Sequence, residues 1–237
     1  MIPANNPAHW TPQPAERRIQ VFAFDPALET DLDAAPINQA AITVPWETLA
    51  PGPVGEYLEV VDIDPASQCA YEPVDLNHPH VLATDGHRPS DGVPQFHQQM
   101  VYAVAMKTID NFERALGRPV LWGERIKDES HEYLPRTERY VQRLRIYPHG
   151  FRGENAYYSP QKKALLFGYF NSRAQTASRD LPGGMVFTCS SHDIVAHETT
   201  HAILDGIHRL IKAFLTGRQK ISVKVFPQER FSEIFTD

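Results

Sequence analysis

Residues 190–206 read SSHDIVAHETTHAILDG, and the H-E-T-T-H at their centre constrains this chain more than any other feature. Helical periodicity sets His197 and His201 one turn apart on the same face, so both imidazoles can reach a single ion. Glu198 falls on the flank of that face, near a water at the metal and outside the ligand positions. This is the H-E-x-x-H arrangement in which zinc hydrolases use the glutamate as general base. The flanks predict a largely buried helix, because Ile194, Val195, Ala196, Ala202, Ile203 and Leu204 clad most of its circumference. Imidazoles and a carboxylate buried there need partners. Ser190, three residues before Asp193, predicts a capping box that starts the helix ahead of the metal face.

Two histidines do not complete a site, since catalytic zinc generally keeps three protein ligands and one open position. The longer H-E-x-x-H-x-x-G-x-x-H spacing is not met: Leu204 stands where it needs Gly and Ile207 where it needs His. A downstream carboxylate remains, with Glu229, Glu233 and Asp237 as candidates. Asp205, one turn beyond His201, is placed to accept a ring N–H or to anchor a neighbouring element. His208 reads as peripheral, and His78, His80 and His87 lie in a polar stretch with no carboxylate pattern. Cys69 and Cys189 are too few and too dispersed for a disulfide scaffold and lack the paired spacing of a metal knuckle.

The rest of the chain supports one α+β domain over 1–237, with a mainly antiparallel sheet packed on long helices. Residues 1–18 are Pro- and Asn-rich and read as a surface arm. Strands are expected at 18–25, 41–45, 56–64 and 140–147, with a turn at 148–154 and hairpin arms at 155–158 and 163–170. Between them, Pro94–Leu116 carries apolar residues every three or four positions and is closed by Gly117 and Pro119. His97 falls in its first turn and reads as a surface or core-edge residue. The metal helix is expected over 190–217, followed by a tail, 218–237, with a strand at 221–226.

Charge and hydropathy exclude some partners. A net charge of -6 without a Lys/Arg run argues against nucleic acid, and no apolar run is long enough for a membrane span. The N-terminal residues show no basic-then-apolar leader, so a cytoplasmic location is the expectation.

The stretch H-D-I-V-A-H-E-T-T-H-A-I-L-D, from His192 to Asp205, resembles the metal helix of the thermolysin-like zinc metallopeptidases, the gluzincins. Asn155-Ala156-Tyr157-Tyr158 is similar to that family's substrate-binding edge strand, and Pro94–Leu116 to its earlier long helix. The resemblance implies a fold like the thermolysin N-terminal domain and a Zn2+-dependent endopeptidase acting on peptide or protein substrates. In it, His197 and His201 are ligands, Glu198 the base and proton shuttle, and Asp205 a supporting acid. Asn155, Ala156 and Tyr157 hold the substrate main chain. The segment Ser232-Glu233-Ile234-Phe235-Thr236-Asp237 is similar to the family's third-ligand motif, which implies Glu233 as ligand and Asp237 as the acid orienting a ligand histidine. It also implies that the other wall of the cleft comes from a further C-terminal domain or a partner chain. The alternative reading is a non-catalytic zinc-binding domain related to such enzymes.

Overall fold

The structure, a computed structural model, describes residues 14–24, 35–127, 132–135, 138–172 and 184–215. The tail carrying Glu229, Glu233 and Asp237, and the strand expected at 221–226, lie outside the described residues.

Among the described residues the fold is α+β. Strands β1 (Glu16–Phe22) and β2 (Gln39–Pro45) form an antiparallel ribbon. Its inward residues Ile19, Val21 and Val44 are buried. Short strands β3 (Leu58–Val60), β4 (Ile63–Asp64) and β5 (Cys69–Ala70) follow, then the one-turn α1 (Pro79–Ala83) and the long α2 (Pro94–Leu116). Every residue of α2 from Phe96 to Met106 is buried, because it is enclosed by the β1–β2 ribbon, the central sheet and the last helix. Gly117, with φ 63, takes the left-handed position that closes the helix, its N–H reaching Glu113 O at 2.9 Å.

The central sheet is assembled from β3, β6 (Leu144–Arg152), β7 (Ala156–Ser159), β8 (Ala164–Asn171) and β9 (Met185–Phe187). Strands β3, β6 and β8 run parallel, whereas β7 and β9 each pair antiparallel with β8. The sheet is therefore mixed, a correction to the mainly antiparallel expectation. Strand β8 explains the difference: it is buried from Ala164 to Tyr169 and reads as a continuous apolar run rather than an alternating one. The turn expected at 148–154 is also corrected, since Pro148 and the residues through Arg152 extend β6. Pro148 supplies no N–H to the ladder, and the β6–β8 register shifts between Tyr147 and Phe151.

A 3-10 turn (Thr188–Ser190) leads from β9 into α3 (His192–Leu215). Ser190 lies in that turn and its hydroxyl makes no hydrogen bond to the helix, so the expected capping box does not form. The first helical bond runs instead from Val195 N to Ser191 O, 3.1 Å. The helix continues through Gly206, where the Leu121 carbonyl packs directly on the helix backbone. A Cβ at Gly206 would fall 1.8 Å from Leu121 O. Gly206→Ala gains helix propensity of about 1 kcal/mol but forces the 121–123 segment away from the helix. A net loss of about 1–3 kcal/mol is expected, read as a lowered midpoint in thermal unfolding. An unchanged midpoint would show that this segment does not seal against α3.

Candidate functional site

Helix α3 divides its circumference sharply. Val195, Thr199, Ala202 and Ile203 are buried in the core, and Thr199 and Thr200 return their hydroxyls to Val195 O and Ala196 O at 2.7 and 2.8 Å. His197 and His201 lie on the other side and are exposed, correcting the expectation of buried imidazoles. Their apolar neighbours cover one side of the helix and leave this stripe open. The two Nε2 atoms stand 3.0 Å apart, close enough for both to lie about 2.0–2.1 Å from a common centre.

Glu198 is buried, and its Oε2 accepts the Tyr158 N–H at 2.8 Å. Ladder parity explains why that N–H is on offer. Asn155 O accepts from Gly168 N at 2.9 Å, and Ser159 O from Lys163 N at 2.8 Å. Alternate residues of β7 therefore bond toward β8, and Ala156 and Tyr158 turn their main-chain groups outward. The sheet edge thus lies against the Glu198 side of α3. Among the expected substrate-holding residues, Ala156 presents its main chain at this edge. Tyr157 exposes its side chain and lines the adjoining cleft. The Asn155 carbonyl is engaged inside the sheet.

That cleft, about 470 Å3, is also lined by Glu198, His201, Leu204, Asp205 and His208. Asp205 accepts the Tyr158 hydroxyl at 2.8 Å and the Lys163 ammonium at 2.5 Å. The acid thereby fastens α3 to the β7–β8 hairpin. Lys163 is fully buried, an uncommon place for an ammonium unless it is paired.

A second constellation lies in the interior. His97, His149 and Cys189 are buried, and one ligand atom from each falls within 4.8 Å of the others. Among the described residues this is the one group of three or more metal-capable side chains that close together. His97 is 1% exposed, a correction to its surface or core-edge reading: the face of α2 that carries it packs on the sheet. Burial and the neighbouring His149 push the His97 ring down to about 3, and burial pushes the Cys189 thiol well up. Spacing could not have found this group, because its members come from three elements far apart in sequence. The cue was a His and a Cys set in apolar surroundings, where polar atoms require partners. His78, which caps α1, and His80 within it are exposed and belong to no such group.

The α3 face fits a zinc ion by donor chemistry, with two imidazole nitrogens converging beside a carboxylate that stays outside the ligand set. No third His, Cys, Asp or Glu among the described residues joins His197 and His201, so a completing ligand would come from outside them. No helix among the described residues is long and apolar enough to cross a membrane. No family model, curated protein or solved structure matches this chain.

Proposed function

We propose that the chain is a zinc-dependent endopeptidase whose reacting centre is the His197–Glu198–His201 face of α3. The observation that carries this reading is the convergence of the two Nε2 atoms, 3.0 Å apart, beside Glu198 at a sheet edge. His197 and His201 would hold the ion, with Glu233 or another carboxylate of the tail as the third ligand. The likeness of residues 192–205 to the gluzincin metal helix supports the same assignment and a thermolysin-like arrangement around it.

Zinc, when bound, supplies Lewis acidity at this position. Glu198 Oε2 is held by the Tyr158 N–H, which orients the carboxylate where Glu198 lines the cleft. The Glu198 carboxylate would take the proton of the attacking water and deliver it to the leaving amine. The outward main chain of Ala156 pairs with an extended peptide as an added strand, and Tyr157 covers its side. Asp205 keeps the hairpin, and therefore this edge, in register with α3.

The test is digestion of a mixed peptide library by the zinc-loaded chain, with chelation and re-addition of zinc. Cleavage that disappears on chelation and returns with zinc is the expected result. The second reading, a non-catalytic zinc-binding domain, is favoured by the lack of a third ligand among the described residues. Zinc that is lost on His197→Ala, bound without any cleavage, would select it.

A further inference from the structure

The buried constellation behind α3 has a proton-placement problem that hydrogen bonding among neutral rings does not solve. His149 Nδ1 lies 2.6 Å from Asp62 Oδ1. A carboxylate only accepts, so this nitrogen carries the proton and Nε2 of the neutral ring presents a lone pair. That lone pair faces His97 Nδ1 at 2.9 Å. A proton on His97 Nδ1 would close the contact but leave Nε2 a bare acceptor with no side-chain partner, in a ring that the Asp91 backbone also reaches. A proton on Nε2 would instead set two lone pairs against each other. With both rings neutral a polar contact is left unmet, and an added positive charge resolves it, either a proton on His149 paired with Asp62 or a metal ion between the rings.

A cation between the rings removes the conflict. Both facing nitrogens become ligands, the His97 proton moves to Nε2, and the thiol of Cys189 ionises as a third donor. We propose that His97 Nδ1, His149 Nε2 and Cys189 Sγ hold one divalent, zinc-class cation in a three-donor centre separate from the α3 face. The surroundings suit such a centre. Asp62 already fixes His149 from behind and is itself held by Gln98 Nε2 at 2.8 Å, the carboxylate–histidine support that metal-ligating imidazoles ordinarily have. A doubly positive ion would offset the Cys189 thiolate and the Asp62 and Asp91 carboxylates that surround it. Phe187 packs on both imidazoles, with ring centroids 4.6 and 5.4 Å away, and shields the centre from water. Mixed imidazole and thiolate donors match zinc better than calcium or magnesium, which take oxygen ligands.

The position gives the centre a purpose. Its ligands come from the first turn of α2, from β6 and from the turn that launches α3. One ion would therefore tie the central helix, the sheet and the root of α3 together. The proposal stands independently of peptidase activity, since none of its ligands belongs to the α3 face.

Cobalt substitution tests it on the full chain. The chain has two cysteines, Cys69 and Cys189, and Cys69 is exposed, so Cys69→Ser leaves Cys189 as its single thiol. Loaded with Co2+, the Cys69→Ser/His197→Ala/His201→Ala chain should bind about one equivalent and show a near-ultraviolet thiolate-to-cobalt charge-transfer band. Zinc should displace the cobalt and abolish the band, and adding Cys189→Ser should remove the band and the bound equivalent. The Cys69→Ser/His197→Ala/His201→Ala chain, folded by circular dichroism but without that band, would overturn the proposal and leave a purely hydrogen-bonded network. A band that survives Cys189→Ser would overturn it as well. If Cys189→Ser does not fold, the Cys69→Ser spectrum still decides, because only Cys189 can then supply the thiolate.

Discussion

Glu198→Gln is expected to lower peptide hydrolysis by about 10²–10⁴-fold, the usual contribution of a positioned general base, while zinc content stays at the wild-type level. The amide is the informative replacement. Its side-chain oxygen can still accept the Tyr158 N–H, which Glu198 holds at 2.8 Å, so the sheet edge keeps its place against α3. What is lost is the oxygen that takes and returns a proton. Glu198→Ala removes both functions and leaves the Tyr158 N–H without this acceptor, which adds a stability loss of about 1–3 kcal/mol. The two variants therefore separate chemistry from architecture: equal loss of rate, unequal loss of thermal stability. The measurement is kcat/KM on a cleaved peptide beside metal analysis and a melting curve. Full activity in a zinc-replete Glu198→Gln chain would remove Glu198 from the mechanism.

Asp205→Ala is expected to be the most destabilising single change near the site, by about 3–5 kcal/mol. The reason is an asymmetry within one ion pair. The Lys163 side chain is 0% exposed whereas that of Asp205 is 20% exposed, and their charged atoms are 2.5 Å apart. Removing the acid takes the carboxylate from an ammonium that water cannot reach. Removing the base instead, as in Lys163→Met, leaves a carboxylate that still accepts from Tyr158 Oη and has some contact with solvent. That change should cost clearly less. For a chain of this size each kcal/mol shifts the unfolding midpoint by roughly 2–4 °C, so the two variants are readily told apart. Lys163→Met combined with Asp205→Leu should recover much of the Asp205→Ala loss, since no buried charge remains. Equal effects of the two single changes would show that burial of the ammonium is not what matters.

Much of the local structure was legible in the residues. The apolar stripe and the Gly117 stop marked α2, and the turn residues between 158 and 164 separated two arms that do pair antiparallel. Both are decided by neighbours in sequence. The parallel pairing of β6 with β3 and β8 was not legible, because a strand's partner and direction are set by distant segments. Pro148 misled for a related reason: it signals a turn locally, yet the irregular ladder at Tyr147–Phe151 accommodates it within a strand. The Ser190 capping pattern was overridden by the 3-10 turn that buries Thr188, Cys189 and Ser190.

The sequence by itself determined the face of the candidate site. Two histidines four residues apart, with a glutamate after the first, stand one turn apart on any α-helix, whatever surrounds it. Tertiary structure decided everything that acts on that face. It left His197 and His201 exposed, turned the Tyr158 N–H toward Glu198, and brought Lys163 to Asp205. It also gathered His97, His149 and Cys189, whose relation no spacing encodes. The physical reason is one of range: helical geometry follows from bonds between residues four apart, whereas burial and long-range partners are settled only when the whole core closes.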